Sequence, residues 1–287
     1  MKIFYYLNGK IVEKNKALIQ VNDLGLLRAY GVFDYLRTYK RKPFYSEDHL
    51  NRFFYSASSL NLKPPISKEE IKRVIFQLIK KNKDLKDLSF RIVLTGGPTQ
   101  DTRISEKPTF FIIVEPIHYY PPEVFEKGIK LITLDYCREF PTTKTINYLW
   151  AISQWKNILK KDAAEILYIW QGRVLEASTS NFFMVKNKTL FTPQNEVLEG
   201  VTRKLVIKLA KENKIKVIEK IITLKEVLES DECFITATDK EIMPVVKIDN
   251  RIIGTGCPGE QTKKLLNLFR ELRDNLGAGN GSRTRVV

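Results

Sequence analysis

The stretch that decides the fold runs from Lys144 to Asn181 and places an amine and a carboxylate on neighbouring elements. Together with the two residues before it, its first part reads Thr142-Thr143-Lys144-Thr145-Ile146-Asn147-Tyr148-Leu149. Its last part reads Ile166-Leu167-Tyr168-Ile169-Trp170-Gln171-Gly172-Arg173-Val174-Leu175-Glu176-Ala177-Ser178-Thr179-Ser180-Asn181. The first part predicts a loop that leads into a helix, and the last part predicts a hairpin. We therefore expect a loop that presents Lys144 and a strand end that presents Glu176.

The size and charge of the chain limit the classes of protein to consider. Its 287 residues are 43% hydrophobic and 11% aromatic, which is enough to bury the core of one large domain or of two ordinary ones. The net charge is +15, from 48 basic and 33 acidic residues, and a charge of this sign is typical of proteins that bind nucleic acid. The lysines are spread along the chain without a nucleic-acid-binding motif, so a generally basic surface is the simpler interpretation. A basic nucleic-acid-binding protein remains the rival from another class.

The sequence also bears on location and on metals. It shows neither a charged segment followed by an apolar one at its start nor a run of about 18 apolar residues, so we expect no secretion and no membrane span. The expected location is the cytoplasm. Cys137, Cys233 and Cys257 are an odd number and lack CxxC spacing. This pattern predicts reduced thiols rather than disulfides or zinc, and we expect no metal.

The first half of the chain predicts an α+β unit over residues 1–117. Asn8-Gly9 predicts a hairpin turn between two strands within residues 1–22. Ser46 is the predicted cap of one amphipathic helix, and Ser67 to Glu70 forms a predicted capping box for a second. Two strand-like runs follow, over residues 88–95 and 109–115.

The second half predicts a larger α/β unit over residues 124–277. The prolines at 121 and 122 favour a linker over residues 118–123. Strands and helices then alternate, including a predicted helix over residues 148–160 and a last one that ends at Gly277. Residues 278–287 are small, polar and without pattern, which predicts a disordered tail.

Several residue types in this pattern could carry chemistry. Lys144 precedes a predicted helix, and a positioned, partly desolvated lysine can act as a nucleophile, although an isolated loop lysine is usually a solvated charge. Glu176 could pair with a pyridinium nitrogen or could simply close a hairpin. Gly200-Val201-Thr202-Arg203 precedes a helix whose free amides could bind an anion, with help from Arg52 and from residues 236–239. Ordinary capping explains this last arrangement equally well.

Six motifs, taken in order, resemble those of the class IV, fold-type IV pyridoxal-phosphate aminotransferases. The family includes D-amino acid aminotransferases, branched-chain aminotransferases and aminodeoxychorismate lyase. The motifs are His49-Leu50-Asn51-Arg52; Ser56-Ala57; Lys144 with Asn147; Gly172-Arg173-Val174-Leu175-Glu176 with Ser180-Asn181-Phe182-Phe183; Leu198-Glu199-Gly200-Val201-Thr202-Arg203; and Thr238 with Glu241-Ile242-Met243-Pro244-Val245. The resemblance implies a two-domain fold-type IV architecture and pyridoxal 5′-phosphate as the cofactor.

The resemblance also implies roles for residues at the pyridine ring. Lys144 would be the Schiff-base lysine and the base that moves a proton between the substrate Cα and the cofactor. Glu176 would pair with the pyridine nitrogen, and Tyr148 would hydrogen-bond the phenolic oxygen. The branched-chain pattern has one residue more between its lysine and its tyrosine than the four-residue step from Lys144 to Tyr148, and the Lys144–Asn147 spacing is closer to the other members.

At the phosphate, the resemblance implies a second set of contacts. Arg52 would bind the phosphate with its guanidinium group, the backbone amides of Val201 and Thr202 would donate to it, and Thr238 would complete the set.

Substrate choice is expected to rest on arginines in the first half. Arg28 departs from the family's usual loop sequence, and Arg91 matches an arginine of branched-chain enzymes, although Ser89 replaces the tyrosine two residues before it. The Arg-x-His carboxylate trap of well-known D-amino acid enzymes is replaced by Gly96 and Pro98. Arg28 and Arg91 are therefore the candidate ligands of substrate carboxylates, and a structural salt bridge is the alternative for each.

The resulting hypothesis is a homodimeric aminotransferase that exchanges an amino group between amino acids and 2-oxo acids, with the Arg28 loop supplied by the neighbouring subunit. A D-amino acid with 2-oxoglutarate is the first choice of substrates. A branched-chain L-amino acid is the second, and aminodeoxychorismate lyase activity is the third.

Overall fold

The computed structural model describes residues 2–100 and 107–278, and its first half forms a six-stranded sheet. The order of the strands is β2-β1-β6-β5-β3-β4, and all neighbouring strands are antiparallel. Their bounds are β1 Phe4–Leu7, β2 Lys10–Glu13, β3 Gly31–Tyr39, β4 Lys42–Pro43, β5 Leu88–Thr95 and β6 Thr109–Pro116. The predicted hairpin at Asn8-Gly9 is confirmed, because both residues have positive φ and Leu7 pairs with Lys10.

The helices of this half are α1 Leu24–Arg28, α2 Ser46–Ser59 and α3 Lys68–Lys81. The capping box predicted at Ser67 and Glu70 is confirmed. The cap predicted at Ser46 is wrong, because Ser46 is itself the first helical residue and follows Tyr45 in a left-handed conformation. The inner faces of α2 and α3 pack on Phe90 and Phe110 in one apolar core.

The second half forms a mixed ten-stranded sheet. The order is β12-β11-β10-β14-β15-β7-β8-β9-β13, with β16 paired to β15. The bounds are β7 Ile129–Asp135, β8 Glu165–Trp170, β9 Arg173–Ala177, β10 Asn181–Lys186, β11 Thr189–Pro193, β12 Val217–Lys220, β13 Ile222–Thr223, β14 Glu232–Ala237, β15 Glu241–Ile248 and β16 Arg251–Ile252. Strand β7 runs parallel to both of its neighbours, β15 and β8.

The helices of this half are α4 Pro122–Lys127, α5 Leu149–Ser153, α6 Trp155–Lys160, α7 Val201–Glu212, α8 Leu224–Leu228 and α9 Glu260–Ala278. Helix α4 begins inside the predicted linker, since proline is tolerated in the first turn of a helix. The single helix predicted over residues 148–160 is wrong, because α5 and α6 are separated at Gln154. Only Ile158 is buried in this segment, so little packing holds a continuous helix together.

The ends of the chain bear on two further predictions. Helix α9 continues through Gly277 to Ala278, where the tail was predicted to begin, and the rest of that tail lies outside the described residues. Within residues 2–100 and 107–278, no helix has both the length and the apolar character to cross a bilayer. The division into domains at residues 118–123 and the cytoplasmic location stay predictions.

Candidate active site

A cavity of about 760 Å³ lies between the two sheets and is lined by residues from both. The first sheet contributes Phe33 and Tyr35 from β3, and the second contributes Glu176 from β9 and Thr236 from β14. The cavity brings together the residues predicted for the cofactor and one of those predicted for the substrate: Arg52, Arg91, Lys144, Tyr148, Glu176, Val201, Thr202 and Thr238. Arg28 does not line it.

Backbone hydrogen bonds to the first sheet fix the position of Lys144. The carbonyl of Lys144 accepts from the N–H of Phe33 at 2.9 Å, and the N–H of Ile146 donates to the carbonyl of Gly31 at 3.1 Å. On the other side, the N–H of Lys144 donates to Ser56 Oγ on α2 at 3.1 Å. A loop residue of the second half is thereby held as firmly as a strand residue.

The amine of Lys144 is held close to its neutral form. Burial is the largest cause, and the positive charges of Arg52 and Arg138 add to it, so that the pKa falls to about 7 despite the opposing carboxylates of Asp34 and Glu176. Among the described residues, Nζ has no hydrogen bond or ion pair; it lies 4.6 Å from the ring centroid of Phe33. An unpaired amine with this pKa can be a nucleophile or a base near neutral pH.

Glu176 is a buried carboxylate with both oxygens occupied by donors. Oε1 accepts from Arg138 Nε at 3.0 Å and from Arg138 Nη2 at 2.5 Å. Oε2 accepts from Asn181 Nδ2 at 3.1 Å and from the N–H of Leu198 at 2.9 Å. The side chain is therefore fixed at the cavity wall as an anion that could face a cationic ring nitrogen.

Arg138 connects this carboxylate with the loop that carries Lys144. Its guanidinium group donates to the carbonyls of Pro141 and Thr143 as well as to Glu176. Burial lowers its pKa, but the charge and hydrogen bonding of Glu176, with smaller contributions from Tyr148 and Tyr168, together leave that pKa raised. The predicted amine and the predicted carboxylate thus share one positioning residue.

Arg52 is oriented by a buried network. Its Nε donates to Asp34 Oδ2 at 2.8 Å and its Nη2 to Asp34 Oδ1 at 2.9 Å. The same carboxylate accepts from His49 Nδ1 at 2.7 Å. Despite complete burial, the guanidinium and imidazole groups hold the pKa of Asp34 well below its usual range, while burial lowers the pKa of His49. The arginine therefore enters the cavity wall with its charge and orientation fixed.

The first turn of α7 faces the same cavity. The amides of Val201 and Thr202 lie at the start of a helix, where no intrahelical acceptor exists, and no side chain caps them. Gly200 permits a close approach at this point, because a Cβ there would come within 1.9 Å of Asn181 Oδ1. With Arg52 and Thr238, this helix start offers the donor types that a phosphate group requires.

Tyr148 and the two arginines complete the set of predicted residues. Tyr148 packs edge to face on Phe33, with 5.7 Å between the ring centroids, and burial raises its pKa to about 12. Arg91 lines the outer cavity and lies 3.4 Å from Glu115, with both side chains nearly half exposed. Arg28 is exposed at the end of α1 and donates only to the carbonyl of Leu27 among the described residues.

Sequence reasoning missed two residues that orient this site. Arg138 follows a strand in a loop, and nothing local distinguishes it from other arginines; only its distance from Glu176 in the fold reveals it. Asp34 lies within an apolar β-rich run, and a carboxylate at that position is a signal, since a buried acid requires a cationic partner. In the described part of the chain, no group of three or more His, Cys, Asp or Glu residues could hold a metal ion.

The family model for amino-transferase class IV matches residues 31–248, and the chain belongs to this family of enzymes. Among its relatives is a protein of Methanocaldococcus jannaschii named "Putative branched-chain-amino-acid aminotransferase", 39% identical over 96% of this chain and 98% of the relative. The D-alanine aminotransferase of Bacillus licheniformis is 28% identical over 92% of this chain and 94% of its own length.

Solved structures show the same architecture. A branched-chain amino acid aminotransferase of T.th. with pyridoxamine 5′-phosphate matches with a TM-score of 0.89 and 26% identity, over 96% of this chain and 95% of that chain. The fold-type IV architecture predicted from the sequence is therefore confirmed.

Proposed function

We propose that this aminotransferase uses pyridoxal 5′-phosphate to move the amino group of a branched-chain L-amino acid to a 2-oxo acid. The observation that carries the proposal is the arrangement of one cavity. An unpaired amine with a pKa of about 7 lies in it with a fixed buried carboxylate and a helix-start anion site. When bound, the cofactor supplies an electron-accepting ring that stabilises negative charge at the substrate Cα.

The residues of the cavity fit the three parts of that cofactor. Glu176 is the carboxylate that Arg138 binds at the cavity wall, and it is the group we assign to the ring nitrogen. The charged or polar ligands we assign to the phosphate are Arg52, the amides of Val201 and Thr202, and Thr238. Tyr148 would donate a hydrogen bond to the phenolic oxygen, because its raised pKa keeps the hydroxyl protonated.

Lys144 is the residue we assign to covalent attachment and to proton movement. Its Nζ would hold the cofactor through the aldehyde carbon, whose oxygen would leave as water. Once the substrate amine has replaced it there, the freed Nζ would move a proton between the substrate Cα and that cofactor carbon. A pKa of about 7 suits this role, since general bases are most effective when the pKa lies near the working pH. The backbone bonds of Lys144 to β3 and α2 limit how far that nitrogen can move.

The walls around the amine support a branched aliphatic substrate. The cavity has an apolar lining that could contact such a side chain, formed by Phe33, Val93, Val114, Ile146 and Ile152. The relatives support this assignment, since the Methanocaldococcus jannaschii protein is more similar to this chain than the D-alanine aminotransferase is. The comparisons therefore favour the second choice made from the sequence over the first.

Arg91 is the residue we assign to the second carboxylate of 2-oxoglutarate. Its pair with Glu115 is long, at 3.4 Å, and the two side chains are 46% and 45% exposed. Exposed pairs of this kind contribute about 0 to 1 kcal/mol, so a substrate carboxylate could displace Glu115 at small cost.

Arg28 is exposed and does not line the cavity of its own chain, so we propose that a second subunit supplies it in a homodimer. Exposed apolar side chains surround Arg28 in sequence, and their burial would favour association: Leu18, Val21, Leu26 and Leu27. Mixing inactive Lys144→Met and Arg28→Ala subunits tests the arrangement. If Arg28 acts across the interface, each mixed dimer regains one intact site and activity returns; if it acts within its own subunit, the mixture stays inactive.

Two measurements test the function itself. Wild-type protein with pyridoxal 5′-phosphate should show a visible absorption band that Lys144→Met lacks, and a colourless wild type would contradict the proposal. A donor panel should then give faster turnover of L-leucine and L-valine than of D-alanine and D-glutamate, with 2-oxoglutarate as acceptor. Faster turnover of the D-amino acids would instead indicate a D-amino acid aminotransferase.

A further inference from the structure

A buried ion pair lies next to the cavity without lining it. Glu165 at the start of β8 and Lys240 just before β15 have side chains that are only 5% and 11% exposed, and their charged atoms are 3.3 Å apart. Neither residue is among those that line the cavity. A buried pair is not by itself a stabilising feature, because the desolvation of both charges offsets their attraction. Its contacts therefore need another explanation.

The carboxylate of Glu165 binds one turn of the chain. The hydroxyls of Ser178, Thr179 and Ser180 donate to it at 3.1, 2.9 and 2.9 Å, and the N–H of Thr179 donates to it as well. This turn joins β9 to β10, so Glu176 precedes it and Asn181 follows it. The carboxylate thus fixes the turn that separates the two residues at the proposed ring-nitrogen end of the cavity.

Lys240 connects this turn with a second loop. Its Nζ donates to Thr179 Oγ1 at 2.6 Å and to Ser180 Oγ at 3.3 Å, besides facing Glu165. Lys240 belongs to the loop between β14 and β15, which also carries Thr238 at the proposed phosphate end. Its Nζ is also 3.9 Å from Asp239 of the same loop, so the ammonium group lies between two carboxylates.

We propose that Glu165 and Lys240 are positioning residues that fix the distance between the ring-nitrogen end of the cavity, at Glu176, and the phosphate end, at Thr238. The proposal rests on the function proposed above. A rigid cofactor contacted at both ends binds tightly only when the two ends are held at the matching separation. The pair supplies this constraint through the turn at residues 178–180, without touching the cofactor itself.

Replacing Lys240 with methionine removes the charge and keeps most of the volume. We expect the dissociation constant of pyridoxal 5′-phosphate, measured by titrating the visible band, to rise about tenfold, as is usual for residues that orient ligand-binding groups. We also expect the maximum of that band to shift, because Glu176 would no longer be held at a fixed place against the ring. Lys240→Arg keeps the positive charge and should recover most of the affinity.

Lys186 offers a matched control. It pairs with Asp231 at 3.2 Å on the same sheet, with its side chain 43% exposed and away from the cavity. Lys186→Met should leave both the dissociation constant and the absorption maximum unchanged. If Lys240→Met also leaves both unchanged while lowering the melting temperature, the pair is merely structural and the proposal is wrong.

Glu165→Gln keeps the test decisive if Lys240→Met does not fold. The carboxamide retains an acceptor oxygen for the hydroxyls of the turn but lacks the charge that Lys240 faces, so affinity should fall in the same direction. An unchanged affinity in Glu165→Gln contradicts the proposal. A wild type that never gives the visible band contradicts the proposed function, whereas a coloured wild type with unaltered variants contradicts only the positioning pair.

Discussion

The buried amine of Lys144 should make the cofactor-free protein less stable in a pH-dependent way. A fall of its pKa from 10.5 to about 7 corresponds, at about 1.36 kcal/mol for each pKa unit, to about 5 kcal/mol. The amine faces a solvent-accessible cavity, which screens part of this energy, so we expect about 2 to 3 kcal/mol.

The sign follows from proton binding. Below about pH 7 the amine is protonated in both states, and the folded protein carries the full cost of burying the charge. Between about pH 7 and 10.5 the unfolded chain binds more protons than the folded one, so the stability contribution of Lys144 becomes less unfavourable as pH rises. Above that range the amine is neutral in both states and the cost is absent.

Lys144→Met isolates this contribution, because every other titrating group is common to both proteins. We compare the free energy of unfolding of the variant minus that of the wild type at two pH values. This difference should be about 2 to 3 kcal/mol larger at about pH 6 than at about pH 10. Urea unfolding of both cofactor-free proteins at the two pH values measures the difference. Lys264→Met, on an exposed face of α9, should show no such change. An excess for Lys144→Met that is the same at both pH values would refute the reasoning.

Three further substitutions test the groups around the amine. Arg138→Met leaves Glu176 buried without its cation and should cost about 3 kcal/mol in urea unfolding, with at least tenfold weaker binding of pyridoxal 5′-phosphate. Gly200→Ala places a Cβ against Asn181 Oδ1 and should cost about 1 to 3 kcal/mol in the same assay and weaken the same binding. Asp34→Asn should make the free energy of unfolding fall less steeply as the pH drops below about 4. The depressed pKa of the Asp34 carboxylate contributes stability above the ordinary carboxylate pKa of about 4, and this contribution is lost as the pH falls below that value.

Each of these has an outcome that would contradict it. If Arg138→Met binds the cofactor as tightly as the wild type does, Glu176 does not contribute to cofactor binding. Wild-type affinity in Gly200→Ala would move the anion site away from the start of α7. If the free energy of unfolding of Asp34→Asn falls as steeply at acidic pH as that of the wild type, other carboxylates cause the acid sensitivity.

Local signals in the sequence correctly predicted two features that depend on neighbours along the chain. The capping box at Ser67 and the turn at Asn8-Gly9 are set by hydrogen bonds and φ values within four residues, and both were predicted. The helix over residues 148–160 failed for the opposite reason. Its apolar pattern is real, but the side chains of Leu149, Trp150 and Trp155 stay exposed in the single chain, so packing does not join α5 to α6.

In the candidate site too, some residues were identified from their neighbours in sequence and one only from the fold. Lys144, Glu176 and Thr202 were identified through motifs of adjacent residues, and the cavity brings them together. Arg138 is far from its partner Glu176 in sequence, and its role depends on a contact that only the fold creates. Sequence spacing alone does not encode such a pair.

The backbone hydrogen bonds of Phe33 and Ile146 join the loop that carries Lys144 to β3. Because this loop carries the lysine that we assign to the cofactor, exchanging the first half alone would remove the hydrogen bonds that position that lysine. A chimera with another protein's β3 would need a residue without Cβ at position 31, where a Cβ would approach the carbonyl of Leu94 to 2.8 Å and Ile146 to 3.0 Å. Transplanting substrate choice therefore requires residues 142–148 to be transferred together with the strand that anchors them.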